Sequence, residues 1–187
     1  MRNRRSLVLS VGGICLLGFV IGCASSTPSA EGQRPRKHEN GKGIGAPMPS
    51  VVVRVLDGGR KIDLGSLRGK VVLIDIWASW CAPCLEEMPL LDDMAVRLKS
   101  KGIEIIAVSV DENKDDARTF LGSRDKWSLT VAHDPKGTVP EVLNPPKMPS
   151  SYIVDAQGVL RFVNEGFDRG DIKKIENRLT ALAAEGS

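Results

Sequence analysis

The chain has 187 residues, 42% of them hydrophobic and 26% charged, and its 26 lysines and arginines against 23 aspartates and glutamates leave a formal net charge of +3. That is enough apolar material for one domain with a core, and too much for a disordered chain. No basic run interleaved with aromatics stands in it, which excludes nucleic acid as a partner.

Residues 1–22 read as a secretory signal peptide. Arg2, Arg4 and Arg5 make a basic start, and Leu7 to Ile21 is an apolar, glycine-interrupted run shorter than a membrane span. The run ends in Val20-Ile21-Gly22-Cys23, which resembles the bacterial lipobox, where cleavage precedes the cysteine and lipid is attached to it. Cys23 is therefore expected to be the first mature residue and to carry a lipid anchor; an uncleaved single-span anchor is the other reading and leaves the domain on the same side of the membrane. Loss of residues 1–22 removes three arginines, so the working protein is close to neutral. Residues 23–49 are rich in Ser, Pro, Gly and charge and have almost no large apolar side chain, which predicts a flexible tether.

Residues 50–187 alternate strand and helix patterns. Val51–Val55 and Lys61–Leu64 flank Asp57-Gly58-Gly59 and suggest a hairpin. Val71–Trp77 is a short, almost wholly apolar and β-branched run, as expected of a strand buried on both faces. Met88, Leu91, Ala95 and Leu98 then recur at helical spacing within Ala82–Ser100. A second buried strand is read over Ile103–Val110, a helix over Asp115–Lys126 and a short strand over Leu129–Ala132. Ser151–Asp155 and Val159–Asn164 form a hairpin about Ala156-Gln157-Gly158, and Asp171–Ala184 closes the chain as an amphipathic helix. The order implies an α/β domain with a mixed central sheet flanked by helices.

The chemistry lies at Cys81-Ala82-Pro83-Cys84, between the central strand and the first long helix. Free N–H groups and the positive dipole end at a helix start stabilise a thiolate, and two intervening residues let the sulfurs meet. Cys81, first in order and the more exposed, is expected to attack; Cys84, a turn further in, resolves the mixed disulfide. Pro83 stiffens the loop, while Ala82 adds no charge. A two-residue loop staples almost nothing, so a purely structural disulfide is a weak reading. A zinc site would need two more ligands, and the folded part offers only His133, here read as structural. Asp75, inside the apolar run, should be desolvated and its pKa raised toward neutrality, which suits it to proton transfer. Trp80 offers contact surface beside Cys81, Trp77 reads as core, and Glu87 suits either a place near the site or a solvated helix face.

Taken together, Leu67-Arg68-Gly69-Lys70-Val71-Val72-Leu73, Trp77-Ala78-Ser79-Trp80-Cys81-Ala82-Pro83-Cys84, Glu87-Met88-Pro89 and Met148-Pro149-Ser150-Ser151-Tyr152 resemble the thioredoxin fold, and within it the TlpA/ResA-like thiol-disulfide oxidoreductases of the bacterial envelope. The resemblance implies that Asp75 lies beneath the cysteines as acid or base for Cys84. It also implies that Pro149 is a cis-proline opposite them, leaving the Met148 backbone free to pair with substrate. The chain departs from the family over Thr138–Lys147, where the loop facing the site is expected to differ. No cofactor or metal is implied. The implied partners are disulfide-bearing envelope proteins as substrates and a membrane electron donor, with cytochrome c maturation among the family's pathways. The implied location is the cell envelope, with the domain facing the periplasm or extracytoplasmic space. Two other activities fit less well: a copper-binding thioredoxin-like module would have three residues between its cysteines, and a peroxiredoxin-type peroxidase would have Thr where Ala78 stands.

Overall fold

The computed structural model describes residues 36–37, 43–122 and 126–186, so the signal and lipobox readings, Cys23 included, lie outside the described residues. In chain order the elements are β1 (Arg36–Lys37), β2 (Gly43–Ile44), β3 (Val52–Val55), β4 (Lys61–Asp63), β5 (Val71–Trp77), α1 (Ala82–Leu98), β6 (Ile103–Ser109), α2 (Lys114–Leu121), β7 (Thr130–His133), α3 (Thr138–Leu143), β8 (Ser150–Val154), β9 (Leu160–Glu165) and α4 (Arg169–Glu185). β1 and β2 pair with each other, and the other seven strands form one sheet in the order β4-β3-β7-β6-β5-β8-β9. β5, β6 and β7 run parallel, while β8, β9, β3 and β4 join antiparallel.

Every residue of β5 is buried, as its unbroken apolar run requires of a strand covered on both faces. The period-two alternation of a strand divides these residues between two cores. Val71, Leu73 and Trp77 pack with Met88, Leu91 and Met94 of α1 and with Ile175 and Leu179 of α4. Val72, Ile74 and Ile76 pack with Leu64, Val139, Leu143 and Tyr152 on the other face. Asp75 has the parity of Leu73 and Trp77, so it belongs to the face covered by α1 and α4.

Several boundaries differ from the sequence reading for local reasons. α1 ends at Leu98 and a 3-10 turn carries the chain to Gly102, whose left-handed φ of 69° closes it. α2 starts one residue earlier than expected, with the Asn113 side chain accepting from Asp115 N, and ends at Leu121 before Gly122 rather than running to Lys126. Asp168 caps α4 through Gly170 N, so that helix begins at Arg169. The expected loop over Thr138–Lys147 contains α3, whose Val139 and Leu143 complete the second core. Asp134 caps it by accepting from Val139 N at 2.6 Å across the Gly137 turn.

Residues 43–49, read as the end of a tether, pack on the domain instead. Gly45 N donates to Leu160 O, Leu160 N to Ala46 O and Met48 N to Gly158 O, and Met48 itself is buried in the second core. The packed domain thus begins near Gly43, not at residue 50.

Candidate active site at the start of α1

β5 leads through Ala78, Ser79 and Trp80 to Cys81, the N-cap of α1. Cys81 N donates to Ala78 O, and Leu85 N makes the first helical bond to Cys81 O, each at 3.1 Å. No side chain caps the helix, and Pro83 in its first turn has no N–H. The remaining unpaired N–H groups and the dipole's positive end therefore lie beside the cysteines, where they favour an anion. The two sulfurs are bonded to each other across a Cα separation of 5.3 Å. Cys81 keeps 6% of its surface exposed and Cys84 none, so Cys81 is the outer of the two sulfurs. Ala82 and Pro83 are exposed beside them. Trp80, directly before Cys81, is 69% exposed, whereas Trp77 is buried against Phe120 as expected of a core residue.

The loop ahead of Cys81 is held by Asp111, which follows β6 almost at once. Its carboxylate accepts from Ser79 N at 3.0 Å, from Ser79 Oγ at 2.8 Å and from Ser109 Oγ at 2.9 Å. His133 Nε2 meets the Asp111 carbonyl at 2.7 Å, a structural contact in line with the sequence reading. Sequence reasoning missed Asp111. An acidic residue directly after a buried strand, level with the end of β5, was the available signal.

Two carboxyl groups are buried on the α1 side. Asp75 accepts from Ser151 Oγ at 2.8 Å, its partner in the β5–β8 register, while its second oxygen has no hydrogen-bond partner. Burial pushes the Asp75 pKa up to about 7, with the Ser151 hydroxyl acting in the opposite direction. Glu87 on α1 is 1% exposed, so the solvated-face reading is wrong for it. Neither of its carboxyl oxygens has a partner. Burial, then the charges of Asp75 and Asp171, push its pKa up to about 9. Both carboxyls therefore hold their protons well above the usual carboxylate range, and because they interact they lose them as a coupled pair.

The Met148–Pro149 bond is cis, as the resemblance implied. Met148 packs against the core cluster that contains both cysteines, and Pro149 is buried. Among the described residues no group of three or more His, Cys, Asp or Glu could hold a metal ion, and no helix is long and apolar enough to cross a membrane.

A family model described as Redoxin matches residues 44–179, most of the chain. The chain belongs to the redoxin family. A thiol-disulfide oxidoreductase ResA of Bacillus thuringiensis subsp. konkukian is 35% identical to this redoxin over 115 residues, 62% of this chain. The chain spans 65% of that curated relative's length, just under two thirds. Among solved structures, a candidate thiol:disulfide interchange protein DsbE from Chlorobium tepidum superposes with a TM-score of 0.70 at 32% identity, covering 75% of this chain and 97% of that one. The exposed lipoprotein thioredoxin Etrx1 of Streptococcus pneumoniae superposes with a TM-score of 0.59 at 26% identity, covering 70% of this redoxin and 100% of Etrx1. The mixed sheet with helices on both faces is thus a thioredoxin-like fold in a redoxin.

Proposed function

We propose that this redoxin is a thiol-disulfide oxidoreductase that reduces disulfides of envelope proteins by cycling Cys81 and Cys84 between dithiol and disulfide. The observation that carries the reading is the bonded Cys81–Cys84 pair at the uncapped start of α1, with Cys81 outermost. The likeness to a ResA and to a candidate DsbE supports it.

In the proposed cycle the Cys81 thiolate attacks one sulfur of a client disulfide; a Cys81–client bond forms and the client's other sulfur leaves as a thiolate. Cys84 then loses its proton and attacks Cys81 Sγ, which releases the second client thiolate and leaves the Cys81–Cys84 disulfide. Two electrons pass from the dithiol to the client. Asp75, buried, on the α1 face and titrating near neutrality, is proposed to take the Cys84 proton. Trp80, Ala82 and Pro83, together with the backbone at Met148 before cis-Pro149, are proposed to contact the client.

The oxidised protein needs a dithiol donor to return it to the start. We place that donor in the membrane, since no pyridine nucleotide pool serves the space outside it. The lipobox-like end of the apolar run, with Cys23 as the acylated residue, supports a membrane-anchored domain facing the extracytoplasmic space, as does the likeness to an exposed lipoprotein thioredoxin. The test is reduction of insulin disulfides by the full chain with dithiothreitol as donor. Turnover is expected for the native chain and none for Cys81→Ser, while Cys84→Ser should accumulate a mixed disulfide through Cys81. A Cys81→Ser variant as active as the native chain overturns the reading.

A further inference from the structure

We propose that this redoxin recognises acidic segments of its disulfide-bearing clients in a basic groove beside the active-site loop, an inference that rests on the function proposed above. A cavity of about 310 Å³ lies between the β3–β4 turn and the start of α2, walled by Arg54, Lys114, Arg118 and His133 and floored by Val55, Leu56 and the Gly58–Gly59 turn. No carboxylate lines it. It shares Arg118 with a neighbouring cavity of about 570 Å³ edged by Arg60 and Lys126, where Asp57 is the only acid among the described residues. Arg118 is engaged, by Asp115 and by the carbonyl of Leu56. Arg54, Arg60 and Lys114 make no ion pair among the described residues. In a chain whose working form is nearly neutral, unpaired cations gathered around one groove repel each other, and an anion relieves that repulsion.

The groove's position ties it to the chemistry. His133 is opposite Arg54 in the β3–β7 register and touches the carbonyl of Asp111. The Asp111 carboxylate in turn holds Ser79, two residues before Cys81. Two hydrogen-bonded links therefore separate the basic wall from the active-site loop, so one client could present its disulfide at Cys81 and an acidic stretch here. Arg54, Lys114 and Arg118 are exposed, with no buried charged group to grip a single small anion. Exposed pairs each contribute little and are screened by salt, so selectivity needs several negative charges on one extended chain. That favours an acidic polypeptide over a small ion.

The test uses the full chain and one disulfide-bearing peptide flanked by a run of glutamates, of lysines or of serines, with reduction followed as KM and kcat. Relative to the serine peptide, the glutamate peptide should show KM lower by about tenfold at low salt, with the lysine peptide weakest. The advantage should vanish as ionic strength rises toward about 1 M, where the Debye length falls to about 3 Å. In Arg54→Glu/Lys114→Glu the glutamate-to-serine KM ratio should return to about one. Equal KM for the three peptides overturns the groove and leaves the disulfide chemistry standing. Should no peptide be reduced, the function proposed above fails. The groove is then decided by fluorescence anisotropy of the labelled glutamate peptide: binding lost in the double variant supports it, and no binding overturns it. Retention on phosphatidylglycerol vesicles that falls in Arg54→Glu/Lys114→Glu, without any preference for the glutamate peptide, assigns the cations to lipid and also overturns the proposal.

Discussion

Asp75 and Glu87 carry ionisable groups in a place where water is excluded, and the sign of their effect on stability follows from the direction of their shifts. An unfolded chain releases the Asp75 proton near 3.8 and the Glu87 proton near 4.5, whereas the folded chain holds them to about 7 and about 9. Between those limits the folded state binds more protons than the unfolded one, so stability is greatest at the acid side and falls as pH rises through the window. Asp75→Asn should flatten the fall between about pH 4 and pH 7, and Glu87→Gln the part reaching toward about pH 9. At about 1.4 kcal/mol per pKa unit, the two coupled shifts together amount to several kcal/mol across the whole window. Urea unfolding at several pH values reads this directly, and variants with the native pH profile would contradict it. Asp75→Asn should also slow release of mixed disulfides at neutral pH. Asp111→Ala leaves Ser79 N and two hydroxyls without their acceptor and should cost about 1–3 kcal/mol in thermal or denaturant unfolding. The cysteines and Asp75 were legible because the local run alone defines their setting. Ser151 and Asp111 were not, since each meets its partner across 76 or 32 positions that only the fold brings together. Glu87 stayed ambiguous because its neighbour Glu86, exposed on the same helix, carries the same residue type.

At the level of elements, the strongest periodic signals matched closely: β5 has the span read from its apolar run, and α1 starts at the expected Ala82. α3 escaped notice because it is six residues long, contains Pro140 and is followed by Pro145 and Pro146, a composition that reads as loop. A proline in a helix's first turn loses no hydrogen bond, so the helix forms once Asp134 caps it and Val139 and Leu143 find the core. The segment leading into β3 is hard to read for a related reason: of residues 43–49 Met48 is the one large apolar side chain that is buried, Ile44 being exposed, and its backbone bonds go to the β8–β9 turn, distant in sequence. That segment passes so close to Gly65 that a Cβ there would lie 2.6 Å from Ser50 N and 2.7 Å from the Pro49 carbonyl carbon. Gly65→Ala should therefore destabilise the domain by about 1–3 kcal/mol and loosen residues 43–51, visible as faster hydrogen exchange there. Unchanged exchange and stability would show that the segment is not packed as described.

The whole molecule joins a redoxin domain to an anchor proposed at Cys23. Cys23→Ala should leave unprocessed precursor and abolish fatty-acid labelling, and full labelling of that variant would rule the anchor out. The central claim is that Cys81 and Cys84 form a reducing couple. Ala82-Pro83 supplies neither a histidine nor a positive charge to hold the Cys81 thiolate strongly, so the reduced form is not specially favoured and the couple should lie nearer thioredoxin, at about −270 mV, than a strong oxidant at about −120 mV. Equilibrating the full chain with glutathione and dithiothreitol buffers and counting free thiols measures this most directly. A reducing couple gives a two-electron transition with a midpoint close to the thioredoxin value; a midpoint more oxidising than about −160 mV, or a transition that does not follow a two-electron slope of about 30 mV per decade, would contradict it.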